Sequence, residues 1–167
     1  IDKKIRAVEH LSEKQAMKRA QEADELIRTG KVDWNRQPLF GVPVSVKDSL
    51  DVKGMPTTCG APSLKNSIAV QDATAVRRLK CAGAIVVAKT RQPFMALMYE
   101  SSNLFGRANN PYAPGHVPGG STGGEAALIA AAGSALGVGC DGNGSIRVPS
   151  HYCGIAGLAP SLGRVPI

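Results

Sequence analysis

The amino-acid sequence predicts an α/β fold with a mixed, largely parallel sheet core flanked by helices. Three observations carry that expectation. Short β-branched runs alternate with stretches of helical periodicity along the 167 residues, the order that builds βαβ units. Hydrophobic residues make up 43% of the composition, enough for a buried core in a chain of ordinary domain length. No internal repeat or low-complexity linker interrupts the pattern, so residues 1–167 are expected to form a single domain.

The elements follow in order. Residues 12–30, "SEKQAMKRAQEADELIRTG", read as a surface helix, with Ser12 as N-cap and Gln15 three residues on. Ala16, Ala20, Ala23 and Ile27 share one face, and Gly30 is the stop. "PLFGVPVSVKD" is a short β-branched run ending at Lys47 and predicts a buried strand with Pro43 near its beginning. "DATAVRRLKCAGA" gives a second helix and "IVVAK" a second strand. Residues 92–118 are rich in Asn, Pro and Gly, so this segment is irregular apart from a short helix near residues 94–99. A buried helix over 123–132 comes next, then a third short strand in "ALGVGCD", then "NGSIRVPSHYCGIAGL".

Composition narrows the function classes. The net charge of +7 is spread among acids instead of clustering with aromatics, so nucleic-acid binding is not expected. Cys59, Cys81, Cys140 and Cys153 form no C-x-x-C pair and no zinc-ligand grouping. They read as reduced and mostly buried small apolar residues, with no metal and no cofactor implied. No stretch approaches the roughly 20 apolar residues of a membrane span, and "IDKKIRAVEH" lacks the apolar core of a signal peptide. Membrane association is therefore not indicated, and a soluble, cytoplasmic protein is the expectation.

Polar residues then fall on this skeleton where ligands collect, at strand ends and helix starts. Lys47 ends the first strand, Ser121 immediately precedes a helix, and Ser145 lies four residues after Asp141. The helix from 123 leads away by about 15 Å and a strand of about six residues returns about 20 Å. Ser121 and Ser145 can meet at one edge. Plainer readings stand beside these. Thr122 and Glu125 fit a T-x-x-E capping box, Lys47 can be a solvated charge, and Ser145 in "DGNGS" can be a turn residue.

Three motif look-alikes compete. "GVGCDG" satisfies G-x-G-x-x-G, but Pro149 comes too soon for a long dinucleotide-binding helix. "GGSTG" satisfies G-x-S-x-G, with Asp141 and His151 following in α/β-hydrolase order. A separation of ten positions from that acid to the histidine, with no helix pattern, is too short for that fold. A P-loop fails because no Gly-Lys-Ser/Thr follows the glycines.

The assembled residues resemble the amidase signature family. The likeness runs from "GVPVSVKDSLDVKG" through "NLFGRANNPYAPGHVPGGSTGGEAALIAAAGSALGVGCDGNGSIRVPSHYCGIAGLAP". It includes the lysine after "VPVSV", the "PGGS-x-GGE" loop, the segment 141–147 and the spacing of the two serines. By motif position, Ser145 resembles the family's nucleophile, Ser121 its bridging cis-serine and Lys47 its ultimate base. The amides of Gly142, Asn143, Gly144 and Ser145 resemble its oxyanion hole, and Asp141 and Arg147 its supporting pair. The family's non-proline cis bond would fall at Gly120–Ser121.

The resemblance implies a serine-dependent amide hydrolase that cleaves a small-molecule carboxylic amide through an acyl-enzyme. The residue types suit it. A serine needs a base, and without a placed histidine a neutral lysine serves if burial lowers its pKa. The Ser121 hydroxyl can accept a proton from Ser145 while donating its own to Lys47, and the reverse relay protonates the leaving amine. "GGE" at 123–125 is closer to fatty acid amide hydrolases and acetamidases than to the tRNA-linked branch. Asn143, Cys140 and Ala159 depart from the usual glycine, threonine and lysine.

Family members are well over twice this length, so the chain is expected to be the signature core without the C-terminal part. An open sheet edge would then favour homodimerisation or association with that segment. The alternative reading is an inactive fragment serving as a binding or assembly module.

Overall fold

The computed structural model describes residues 2–103 and 105–166; positions 1, 104 and 167 of the expected 1–167 unit lie outside the described residues. Helix α1 (Asp2–Ile5) and strand β1 (Val8–Leu11) lead into helix α2 (Glu13–Arg28). Strand β2 (Pro43–Lys47), helix α3 (Thr74–Cys81) and strand β3 (Ile85–Thr90) follow. After a two-strand ribbon of β4 (Ser102–Asn103) and β5 (Gly106–Arg107) come helix α4 (Gly123–Ala130), strand β6 (Leu136–Val138) and helix α5 (Arg147–Cys153).

The main sheet runs β1-β3-β2-β6. β2 pairs in parallel with both β3 and β6, and β1 adds an antiparallel edge. This is the mixed, mostly parallel sheet with flanking helices that the alternation predicts. Two strands from one βαβ unit, β2 and β3, sit side by side with α3 as their crossover.

The sequence of β2 positions the site. Side chains alternate across a strand. Val44 and Val46 enter the larger core with Val52, Met55, Val76, Ala84 and Val86. Ser45 and Lys47, on the opposite face, lie beneath α4. A second, smaller cluster of Ile5, Ala7, Ala127 and Leu128 seats α4.

Several expectations need correction. Ser12 and Thr122 are the N-caps of α2 and α4, but neither makes a side-chain cap hydrogen bond, so both capping boxes are absent. Glu125 turns into the sheet instead of back to the helix start. Ala16, Ala20 and Ala23 cover part of the sheet side of α2, whereas Ile27 is exposed. Helix α4 stops at Ala130, two residues early, because Ala132 takes a left-handed φ of 57° before Gly133. The segment 147–153 is a short helix with Pro149 in its first turn, where its missing N–H costs nothing. All four cysteines are free, but only Cys153 is buried; Cys81 and Cys140 are exposed and Cys59 is half-buried.

Candidate active site

Lys47 is fully buried at the end of β2. Its Nζ donates to Ser121 Oγ at 2.6 Å and to Cys140 Sγ at 3.2 Å. Burial pushes the Lys47 pKa below the usual lysine value, with Cys140, Asp141 and Cys59 acting in the opposite direction. Ser121 is 1% exposed and follows a cis Gly120–Ser121 peptide.

A second buried lysine sharpens the contrast. Lys89 on β3 donates to the Pro56 carbonyl at 2.7 Å and to Thr57 Oγ1 at 2.8 Å, and lies 3.5 Å from Asp48. That carboxylate also accepts from the Thr58 and Gly60 amides and the Thr58 hydroxyl. Lys89 thus has an anion to hold its proton. Lys47 has no ion-pair carboxylate among the described residues, and its partners are a hydroxyl and a thiol. Burial lowers the pKa of both lysines, but only Lys89 has a carboxylate within ion-pair distance among the described residues to oppose it.

The backbone ties Ser145 to the residue after Ser121: the Thr122 N–H donates to the Ser145 carbonyl at 3.1 Å. Ser145 is half-buried, and its hydroxyl makes no hydrogen bond among the described residues. The turn that carries it is organised by Asp141. One carboxylate oxygen accepts the Gly144 N–H at 2.6 Å, and the other accepts the Ile146 and Arg147 N–H groups at 3.0 and 3.1 Å. The Arg147 guanidinium closes a two-pronged pair at 3.0 and 3.1 Å, the strong fork geometry. Arg147 holds the Asp141 carboxyl far below the usual carboxylate range, and the backbone donors add to that effect.

Four amides were expected to face an oxyanion. Gly144 donates its N–H to Asp141, whereas the N–H groups of Gly142, Asn143 and Ser145 have no protein partner among the described residues. Gly144 adopts φ 98°, which glycine permits, so the sharp bend falls there and not at Asn143. Asn143 instead pairs with Tyr99: its Nδ2 donates to the phenol oxygen at 3.1 Å, and the phenol donates to its carbonyl at 3.0 Å.

His151 does not join. It is exposed on α5 with its ring edge-on to Tyr152, Ser121 is engaged by Lys47, and Asp141 is engaged by Arg147. The Ser121, Asp141, His151 alternative is overturned. Sequence reasoning missed Tyr99, the Cys140 thiol on Lys47, and the engagement of Glu125 by Ser45 and Thr90. The Ser45–Lys47 spacing in "VSVKD" is the one signal that places a second polar group on the lysine's face.

Comparison with known proteins settles the ancestry. The Amidase family model matches residues 1–167. The chain belongs to the amidase signature family. Among amidase relatives, fatty-acid amide hydrolase 2 of Homo sapiens is 44% identical over 157 residues, covering 91% of this chain and 30% of that protein. A glutamyl-tRNA(Gln) amidotransferase subunit of Geobacter sp. (strain M21) is 42% identical over 166 residues, covering 99% of this chain and 33% of that one. A solved fatty acid amide hydrolase superposes with a TM-score of 0.84 at 31% identity, over 89% of this chain and 26% of the other. The chain spans about a third of the length of the curated relatives it matches. Among the described residues no helix is long and apolar enough to cross a membrane.

Proposed function

We propose that this chain is the signature core, one domain, of a serine-dependent amide hydrolase working through an acyl-enzyme. The observation that carries the reading is the 2.6 Å hydrogen bond to Ser121 from buried Lys47, which has no carboxylate within ion-pair distance among the described residues, beside a Ser145 whose hydroxyl is uncommitted. Neutral Lys47 takes the Ser121 proton as Ser121 takes that of Ser145, and Ser145 attacks the amide carbon. The developing oxyanion meets the Gly142, Asn143 and Ser145 N–H groups, while Asp141 and Arg147 hold their turn. Protonated Lys47 returns the proton through Ser121 to the departing amine, and water then releases the acyl group.

The substrate in this reading is a small carboxylic amide. Half-exposed Phe94, Met95, Met98 and Tyr99 precede the serine loop, with Tyr99 in contact with Asn143, which favours an apolar acyl group. The near-equal identities to a fatty-acid amide hydrolase and to a tRNA-linked amidotransferase leave the choice of branch to assay. The second reading is a binding or assembly module.

A fluorophosphonate probe separates them. The enzyme reading expects labelling of the folded chain that disappears in Ser145→Ala and falls steeply in Lys47→Ala. A folded chain that takes no label would favour the module, and labelling that persists in Ser145→Ala would sink the enzyme reading built on Ser145.

A further inference from the structure

Glu125 is a carboxylate 3% exposed in the first turn of α4, four residues beyond Ser121. It accepts hydrogen bonds from the Ser45 hydroxyl on β2 and, at 2.6 Å, from the Thr90 hydroxyl on β3. On β6, Gly137 lies directly under it, and a Cβ there would overlap the carboxylate. One side chain thus fastens the helix to two strands and rests on a third. Ser45 and Lys47 are two residues apart on β2 and leave the same face, so their attachment points are separated by about 7 Å. Lys47 reaches Ser121 from that face.

The charges around Glu125 are few. Lys47 on β2 is the charged group that acts on it. β3 presents Thr90, β6 presents Gly137, and Ile146, Pro149 and Ser150 share its cavity from the turn before α5 and from α5 itself. None of these titrates near neutrality.

We propose that Glu125 is a positioning residue for Lys47: its carboxylate fastens the helix bearing Ser121 to the strand bearing Lys47 and adds a negative charge beside that of Asp141 on the lysine's side of the sheet. The role rests on the reading of Lys47 as the relay base. Burial pushes the Glu125 carboxyl up to about 7, with the Ser45 and Thr90 hydrogen bonds and the Lys47 charge opposing, so both of its forms are populated near neutrality. Ionised Glu125 favours the protonated lysine that amine departure needs, and protonated Glu125 removes that pull.

The test titrates Lys47 directly in the folded 167-residue chain, by NMR of lysine Cε carbons, the signal assigned through its loss in Lys47→Arg. Glu125→Gln is expected to lower the Lys47 midpoint by about half a unit or more, about threefold in the protonation constant. Thr90→Val removes one donor to the anion and is expected to lower it by less. The acid limb of the fluorophosphonate labelling rate should move with the midpoint. An unmoved midpoint in folded Glu125→Gln, or in Thr90→Val where the first variant does not fold, overturns the proposal. Normal labelling with an unmoved midpoint would sink the positioning role alone. A moved midpoint in a chain that never labels would retain the coupling and sink the catalytic reading.

Discussion

Lys47 shows how a residue can be poor for stability and apt for chemistry. Its folded pKa is below the unfolded 10.5 because burial disfavours the ammonium. The folded state therefore binds its proton less tightly, and stability rises with pH as the solution approaches 10.5. Lys47→Met should abolish labelling of Ser145 yet stabilise the chain at neutral pH by about 1 kcal/mol or more, the scale for relieving a buried charge. The gain should shrink as pH approaches 10.5. Chemical denaturation across that range checks both signs; a destabilised variant at pH 7 would mean that Lys47 is held charged and compensated. Glu125 has the opposite sign of dependence. Its carboxyl moves from 4.5 up to about 7 on folding, so the folded state binds the proton more tightly and wild-type stability falls as pH rises through that window, then levels. Glu125→Gln lacks that slope. Relative to the variant, the wild type should lose roughly 3 kcal/mol between pH 4.5 and 8, read from urea midpoints at the two pH values.

Among the elements, the turn between β6 and α5 depends on one side chain. Asp141 satisfies three backbone N–H groups and the Arg147 guanidinium, and its side chain is 3% exposed while that of Arg147 is 63% exposed. Asp141→Ala leaves those donors unpaired and frees the amides on either side of Gly144 from their orientation. Labelling of Ser145 should fall by about 10²-fold, the scale for losing an oxyanion donor, with about 2 kcal/mol of stability; labelling rates and thermal melts measure the two. A loop that keeps its rate would show that the turn is held by other contacts. The elements divide by how much local pattern they carry. α2, α3, β2 and β3 are legible because each holds its period long enough to read. β1 is four residues of an edge, β4 and β5 are two residues each, and α5 is seven residues with Pro149 in its first turn, all too short for a period to emerge. The site divides similarly. The meeting of Lys47 and Ser121 follows from strand-end and helix-start positions, whereas the partners of Glu125 on two strands depend on tertiary packing that the T-x-x-E pattern misreports as a cap.

The molecule as a whole carries more surface than its mass calls for. Its accessible area is 9598 Å², against about 7,900 Å² for a compact monomer of this mass. Apolar side chains contribute to the excess: Leu158 is 79% exposed and Leu162 96%. Among the described residues strand β6, at the sheet edge, pairs only with β2, and beside it opens a cavity of about 480 Å³ lined in part by Ile129, Leu136, Ile155 and Leu158. A strand edge flanked by apolar surface invites pairing with another chain. The net charge of +7 opposes association but acts over only about 8 Å at physiological salt, where exposed charges are screened. The chain should therefore self-associate, with a weight-average mass in sedimentation equilibrium that rises with concentration and rises further with added salt. Leu136→Lys places a charge on the half-exposed edge position of β6 and should hold the mass at the monomer value over the same range. A wild type that stays monomeric at high salt would mean that this edge is protected within the chain itself. Association that persists unchanged in Leu136→Lys would move the contact to the exposed apolar segment at residues 94–99.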